Sequence, residues 1–344
     1  MSAIRNIMKK STVMNMTVDT VRFLRAIRTY NQGGETPIEG VHSARHLFFS
    51  TNQASHKIFT SVQNFLSRNN TVELGQKRGI LGDMSKAAAL QEATRNVQEV
   101  GYHIFDAKLS SEECAELVEY ARTTPSKPRI ADQVEKIPYD RNNLKANLYD
   151  FAPQDLLENP IIQRLITDES ILTFARELLG PSVRLHNVTM WWSNADFHNV
   201  SKNTAAQLYH VDMDTIKWIK IFFYLTDVGP ENGPHCYIAK SHRNAPKAVY
   251  REGRIEDEEI AAHFPKEDIK EITGAAGTIL AADTVGLHKG KPLTKGERLL
   301  FQLTFGITGF GYDPPRKITV NEKFSPEFLA KIDKNPTVYK GGYF

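Results

Sequence analysis

The sequence predicts a mainly β fold with flanking helices, of the α+β class: a double-stranded β-helix, or jelly roll. Three observations support this prediction. Strand-like stretches in the second half of the chain are separated by dense turn signals, they are rich in β-branched and aromatic residues, and helical patterns precede them. A chain of 344 residues is long enough to bury one large core and to carry an appendage.

The composition is that of an ordinary globular protein, with 41% hydrophobic and 24% charged residues. No apolar run approaches the ~20 residues needed to cross a bilayer. Cys114 and Cys236 form no C-x-x-C pair and predict no disulfide framework, which favours a reducing compartment. Because the first residues lack the continuous apolar core of a secretory signal, we expect a cytoplasmic protein, with an organelle transit peptide as the alternative.

Residues 1–83 predict a basic extension that is mainly helical or irregular. Residues 1–95 hold 13 Lys and Arg against 6 Asp and Glu, a net charge of +7, whereas the rest of the chain carries −4. Apolar residues and arginines recur with helical spacing over residues 17–30, which predicts an amphipathic helix packed on the body. Peripheral contact with an anionic membrane is the weaker alternative, and no nucleic acid partner is expected.

Residues 84–312 are predicted to form the β domain, which the chain enters through a helix, a short strand and a second helix. Ser85 is expected to cap the first helix, and Gly101 to end it. Ser110 and Glu113 have the spacing of a capping box at the start of the second helix.

The remaining elements follow from periodicity and from Gly and Pro signals. A charged helical insertion is expected within residues 251–271, and residues 313–344 form a tail without clear periodicity that either packs on the barrel or stays mobile. One or two helices are predicted over residues 161–179. The predicted strands are 102–105, 183–193, 216–226, 235–239, 278–282 and 298–307.

The stretch that carries chemistry begins with His210 and Asp212. Side chains two residues apart on an extended chain point to the same face, so this imidazole and this carboxylate can converge on one point. A second histidine would complete the 2-His-1-carboxylate triad that binds non-heme Fe(II) and leaves positions open. Asp214 lies on the same face and is the alternative carboxylate.

His288 is the candidate for the second histidine, because it follows the apolar strand at residues 278–282. His235 and His242 compete for this position. Arg298 begins another strand ten residues after His288, and a hairpin between the two strands would make them neighbours. Arginine is the natural bidentate partner for the carboxylate of a co-substrate.

Three further residues are candidates for ligand contacts. Asn187 and Trp191 share one face of the strand at residues 183–193, which is predicted to line the barrel mouth. Asn187 is expected to contact the co-substrate or substrate, and Trp191 the substrate. Arg141 lies in a polar loop that can border the substrate pocket, with a water-facing loop as the alternative.

These features resemble the phytanoyl-CoA dioxygenase family of Fe(II)- and 2-oxoglutarate-dependent oxygenases, over about residues 90–310. One position departs from the family pattern. Two residues after the distal histidine the family often has a small hydroxyl residue that helps to hold the far carboxylate of the co-substrate, and here Gly290 stands there. The motifs that carry the resemblance are His210-x-Asp212, Glu231-Asn232-Gly233-Pro234, Ser241-His242-Arg243, His288 and Arg298.

The resemblance implies a dioxygenase whose iron is held by His210, Asp212 and His288 and whose 2-oxoglutarate is held by Arg298. It implies O₂ as oxidant, ascorbate as the in vitro reductant, and oxidative decarboxylation to succinate and CO₂. The expected outcome is hydroxylation of an unactivated C–H bond in a small-molecule or acyl substrate. Asp212 disfavours halogenation, while desaturation, epimerisation and ring formation stay open.

Two other functions are consistent with the same fold. One is a non-catalytic double-stranded β-helix that serves binding or assembly, and the other is an enzyme that uses a different metal without 2-oxoglutarate. The four polar residues of the implied site favour the dioxygenase over both. The sequence leaves substrate identity and oligomeric state open.

Overall fold

The computed structural model of the protein describes residues 2–130, 135–197, 206–311 and 318–340, with side chains from Met14 onward. Its helices are α1 (Ser2–Gly33), α2 (Ile38–Ser50), α3 (Ala54–Leu66), α4 (Ala87–Glu99), α5 (Ser111–Thr123), α6 (Pro153–Leu157), α7 (Pro160–Ile166), α8 (Glu169–Leu179), α9 (Ser241–Asn244), α10 (Asp257–His263), α11 (Pro326–Lys334) and α12 (Pro336–Tyr339). Its strands are β1 (Arg78–Gly79), β2 (Gly82–Asp83), β3 (Tyr102–Lys108), β4 (Lys127–Pro128), β5 (Leu148–Asp150), β6 (Arg184–Asn194), β7 (Trp218–Tyr224), β8 (His235–Ile238), β9 (Ile269–Ile272), β10 (Thr278–Ala282), β11 (His288–Gly290) and β12 (Glu297–Gly306).

Two antiparallel sheets form the body of the protein. The larger has the strand order β3-β10-β7-β12-β6-β5-β4 and the smaller the order β11-β8-β9. Buried side chains of both sheets pack together, among them Phe222 and Tyr224 of β7, Tyr237 of β8, and Leu300 of β12. This confirms the predicted double-stranded β-helix, although over the described ranges no strand of one sheet pairs with a strand of the other and the sheets do not close into a continuous barrel.

The local signals at the entry to the body have two different outcomes. The capping box at α5 is confirmed, because Ser110 Oγ accepts from Glu113 N at 3.1 Å and Glu113 Oε2 accepts from Ser110 N at 3.0 Å. The predicted cap at Ser85 is wrong. The Asp83 carboxylate accepts hydrogen bonds from both the amide and the hydroxyl of Ser85, so that hydroxyl donates away from the helix and α4 begins two residues later.

The N-terminal helices pack directly on the body. Phe23 and Tyr30 of α1 place their ring centroids 5.7 and 6.1 Å from the ring of Phe310, which follows β12. Phe48 of α2 is buried in a cluster with Tyr209, Val211 and Met213. The extension is therefore in contact with the segment that carries the His-x-Asp motif.

The described part of the C-terminal tail contains the two helices α11 and α12, whereas its sequence showed no clear period. The Tyr339 hydroxyl of α12 is buried and donates to the carbonyl oxygen of Ile166 at 3.1 Å, which ties the tail to α7. Residues 313–317 and 341–344 of the predicted tail lie outside the described residues. Of the helices that are described, none is long and apolar enough to cross a membrane.

Candidate active site

The His-x-Asp segment is extended, but it is not part of a regular strand. His210 and His288 form an isolated antiparallel bridge in which each residue's amide donates to the other's carbonyl, at 3.0 and 3.1 Å. The amide of Asp212 donates to the carbonyl of Thr284 at 3.0 Å. Because side chains alternate along this segment, Tyr209, Val211 and Met213 pack in the cluster with Phe48 while His210 and Asp212 line a cavity on the other side.

Three side chains that the sequence singled out converge in this cavity. His210 Nε2 lies 3.3 Å from Asp212 Oδ1, and His288 Nε2 lies 3.2 Å from Asp212 Oδ2. Ligand atoms of all three residues lie within 4.8 Å of one another. Two imidazoles and a carboxylate in this arrangement form a facial set of donors for a transition metal.

The backbone fixes which nitrogen of each histidine is available. His210 Nδ1 donates to the carbonyl of Leu208 and His288 Nδ1 to the carbonyl of Gly286, each at 2.9 Å. A carbonyl oxygen only accepts, so each ring carries a proton on Nδ1, and the neutral form of each ring directs its Nε2 lone pair at Asp212. Lone pairs and carboxylate oxygens that face each other are stabilised by a cation between them, so this donor set fits a divalent metal.

Lys220 is a residue of this site that the sequence analysis did not identify. Its Nζ lies 2.7 Å from Asp212 Oδ2 and 2.7 Å from Asp214 Oδ2. Burial opposes the charge of Lys220, but the two carboxylates outweigh it and raise the pKa of the ammonium above its ordinary value. Burial would likewise raise the pKa of Asp212, yet the Lys220 ammonium holds that pKa well below its usual range.

The convergent residues line a cavity of about 410 Å³. Asn187 and Trp191 of β6 both line it, as their shared strand face predicts, and so does Arg298 of β12. Arg141 is exposed in a turn and is absent from the described residues that line this cavity. Besides Arg298, the arginine that lines the cavity is Arg129, which is paired with Asp150 through hydrogen bonds of 2.9 and 2.5 Å.

Arg298 is a buried cation with few partners. Its Nη2 donates to the Ser193 hydroxyl at 3.3 Å, and its Nε has no hydrogen-bond partner among the described residues. No carboxylate in the described part of the chain forms an ion pair with it. Burial lowers the pKa of the Arg298 guanidinium to about 10, so the side chain stays charged at neutral pH.

The two competing histidines have different surroundings. His242 is remote from the cavity and its Nε2 donates to the carbonyl of Gln98 at 2.9 Å. His235 lines the cavity, and its ring centroid lies 5.5 Å from that of His288. Burial holds the pKa of His235 well below its ordinary value, so the ring is neutral.

The sequence contains one indication that Lys220 has a charged partner, but hydrophobic periodicity does not reveal it. A lysine in the middle of a buried apolar strand must have a charged partner, because lysine is almost never fully buried unpaired. All seven residues of β7 are buried, and Lys220 is the charged one. The position of Lys220 in this strand indicates that it has a charged partner, but it does not show that the partner is Asp212.

The family model for "Phytanoyl-CoA dioxygenase (PhyH)" matches residues 88–299. The ectoine dioxygenase of Bordetella parapertussis is 22% identical over 244 residues, which cover 65% of this chain and 75% of that protein. The ectoine dioxygenase of Sphingopyxis alaskensis is 23% identical over 265 residues, which cover 69% of this chain and 84% of that protein. These similarities extend over most of the β domain.

The solved structures to which this chain is similar have lower sequence identities. HygX from Streptomyces hygroscopicus, crystallised with nickel, 2-oxoglutarate and hygromycin B, is 17% identical, with 66% of this chain and 90% of that one covered and a TM-score of 0.44. The carbocyclase SnoK from nogalamycin biosynthesis is 16% identical, with 66% of this chain and 86% of that one covered and the same TM-score.

Since the family match spans more than half of the 344 residues, the protein belongs to the phytanoyl-CoA dioxygenase family and is an Fe(II)- and 2-oxoglutarate-dependent dioxygenase.

Proposed function

We propose that this dioxygenase hydroxylates a small polar molecule, and that His210, Asp212 and His288 hold its metal. One observation carries the metal assignment. The backbone fixes both histidines with Nε2 lone pairs directed at the same carboxylate, which is the tautomer that a metal ligand needs.

Each residue of the triad region has a separate task in this proposal. The Nδ1–H bonds of the two histidines orient their rings, and the Lys220 ammonium restrains the Asp212 carboxylate from one side. When bound, Fe(II) together with 2-oxoglutarate and O₂ supplies the oxidising chemistry, with succinate and CO₂ as co-products. The protein's own contribution is to orient both organic ligands and to exclude water.

Arg298 is proposed to hold the far carboxylate of 2-oxoglutarate. A buried charge without a counter-ion is costly, and within the described ranges no carboxylate is paired with Arg298. A dicarboxylate co-substrate would supply the missing anion. The guanidinium fork is suited to bind it through two parallel N–H···O bonds.

The cavity supports a polar substrate over a long acyl chain. A volume of about 410 Å³ has to hold the substrate together with the co-substrate, which leaves room for a compact molecule. Amide and hydroxyl side chains contribute much of its lining, which suits a ligand that carries hydrogen-bonding groups of its own. Asn187 and Trp191 are proposed contacts of these ligands. The amide and hydroxyl residues of the lining are Asn147, Asn187, Thr189, Ser193, Asn194, Gln207 and Gln302.

The organisation of the chain is also part of the proposal. Residues 84–312 would form the oxygenase domain, with residues 1–83 as its extension and residues 313–344 as its tail. The family match at residues 88–299 supports the first of these limits. A cytoplasmic location is proposed from the sequence, and localisation of the tagged full chain would test it.

The decisive experiment is succinate formation by the purified protein with Fe(II), 2-oxoglutarate, ascorbate and O₂, first alone and then with fractions of a polar metabolite pool. We expect slow succinate formation without substrate and a faster rate with one fraction. Asp212→Ala should abolish both rates while the protein remains folded. Unchanged succinate formation in Asp212→Ala would contradict the site assignment, and turnover supported by Zn(II) without 2-oxoglutarate would contradict the reaction class.

A further inference from the structure

We propose that His235 is a second anchor for the far carboxylate of 2-oxoglutarate, beside Arg298 and opposite Gly290. The inference rests on the proposed function, because it takes Arg298 as the main partner of that carboxylate. It adds a residue that donates to the same group from the smaller sheet.

Strand register places His235 where a side chain at position 290 would act. His235 of β8 and Gly290 of β11 are direct cross-strand partners. Directly opposed residues on one face lie about 5 Å apart, so a large side chain at one position covers the surface next to the other. A Cβ built on Gly290 would lie 3.9 Å from Arg298 Nη2, which shows that this surface adjoins the guanidinium.

His235 has hydrogen-bonding capacity that the described protein does not use. Its side chain is 7% exposed, it lines the cavity, and its Nε2 has no hydrogen-bond partner among the described residues. Arg298 Nε, which is also buried, has none there either. Buried polar atoms without partners are uncommon in folded proteins. The cavity lining has two more among the described residues, Asn147 Oδ1 and Thr189 Oγ1. With its proton on Nε2, His235 offers an N–H beside that of Arg298 Nε, and the two suit a ligand that accepts hydrogen bonds.

The ring is held in place by its neighbours. The centroid of the His235 ring lies 5.0 Å from that of Phe222 and 5.5 Å from that of His288. The ring planes of Phe222 and His288 are inclined by 42° and 22° to the plane of His235. The donor set of the proposed metal site consists of His210, Asp212 and His288, so His235 stands beside that set without joining it. A neutral imidazole in this position offers one N–H donor to a carboxylate oxygen.

The test is a calorimetric titration of 2-oxoglutarate into the full chain loaded with Ni(II), with 2-oxopentanoate as the matched ligand that lacks the far carboxylate. We expect His235→Leu to weaken 2-oxoglutarate binding by about tenfold, the loss of one hydrogen bond to a charged group. Binding of 2-oxopentanoate and of Ni(II) should change by less than about twofold, because neither involves the far carboxylate.

Two further variants test whether the affinity depends on a hydrogen-bond donor at this place in the cavity. Gly290→Ser introduces a hydroxyl at the register partner, and the nearest atoms to a Cβ there lie at 3.9 and 4.0 Å, so the side chain fits. In the double variant with His235→Leu we expect most of the lost affinity to return. His235→Gln keeps an N–H donor and should bind 2-oxoglutarate within about threefold of the wild type. His263→Leu, at an exposed position in α10, is the control for histidine replacement.

The outcomes separate this inference from the function on which it rests. Unchanged 2-oxoglutarate affinity in His235→Leu would overturn the role of His235, and so would an equal loss for both 2-oxo acids, which would indicate a packing effect. If the wild type bound 2-oxoglutarate no more tightly than 2-oxopentanoate, the Arg298 assignment would fail and His235 with it. Should His235→Leu not fold, His235→Phe, which also lacks an N–H donor and keeps an aromatic ring, takes its place in the same comparison of the two ligands.

Discussion

Replacing Lys220 by methionine should destabilise the metal-free protein and tighten its hold on a metal. The ammonium lies 2.7 Å from one oxygen of Asp212 and 2.7 Å from one of Asp214, and its side chain is 10% exposed. Methionine fills a similar volume without the charge. The variant would leave the Asp212 carboxylate buried without its cation.

The size of the effect follows from these distances. At 2.7 Å and an effective dielectric of about 20, each ion pair contributes about 6 kcal/mol of Coulomb energy before desolvation is subtracted. Breaking a buried pair by removing one partner lowers the free energy of unfolding by about 3–5 kcal/mol. A divalent metal next to Asp212 would restore about half of that loss. We therefore expect Ni(II) affinity to rise by at least about tenfold, since 1.4 kcal/mol corresponds to a factor of ten.

Two measurements check this prediction: denaturant unfolding of the metal-free protein and calorimetric titration with Ni(II). Lys291→Met is the matched control, because Lys291 also lines the cavity but is paired with Glu271 at 2.8 Å instead of with Asp212. That control should move neither quantity by more than a few tenths of a kcal/mol. Weaker Ni(II) binding by Lys220→Met would refute the electrostatic reasoning and assign Lys220 a purely positioning role.

Three other predictions follow from single contacts. Arg298→Ala should raise the KM for 2-oxoglutarate by about 100-fold through the loss of two charge-assisted hydrogen bonds while Ni(II) affinity stays the same, and steady-state kinetics with calorimetry would show this. Burial lowers the pKa of His56 from 6.5 to about 4. Between these two pH values the imidazole is protonated in the unfolded chain but neutral in the folded protein, so the free energy of unfolding falls as the pH decreases from 6.5 to 4. His56→Phe should remove about 3 kcal/mol of that pH dependence, as measured by unfolding at pH 7 and pH 4, and an unchanged pH profile would contradict it. Gly277→Ala should destabilise the protein by about 2 kcal/mol more than Gly253→Ala. Both glycines have positive φ, but only at position 277 would the new Cβ clash, at 2.3 Å from the Leu109 carbonyl oxygen. Equal unfolding midpoints of the two variants would refute the clash.

Local spacing was sufficient to predict the main elements of the fold and the shared face of His210 and Asp212, whereas the choice of His288 over His235 and His242 depended on the family resemblance. The reason is that side-chain alternation acts over two residues, and an apolar strand before His288 fixes its place in the sheet. The apolar run at residues 216–226 likewise predicted β7, which is fully buried. These are short-range properties that a sequence displays directly.

Other contacts depend on strand register or on bends in the chain, which the sequence does not display. Lys220 reaches Asp212 because the chain bends at residues 214–217 before β7 begins. Arg129 reaches the cavity, whereas Arg141 does not, because β4 pairs with β5 in one particular register. In the same way, the role proposed for His235 depends on its pairing with Gly290, two positions that lie far apart in the sequence.

The burial of Phe48 beside the His-x-Asp segment has a consequence for how the molecule fluctuates. Since Phe48 of α2 belongs to the same buried cluster as Tyr209, Val211 and Met213, opening the N-terminal helices would remove part of the support behind His210 and Asp212. The extension and the ligand set would then belong to one cooperative unit. A metal bound on one side of that segment would slow amide hydrogen exchange in α2 on the other side. A chain that begins at residue 84 would lose this coupling, and the segment would lose its apolar cover.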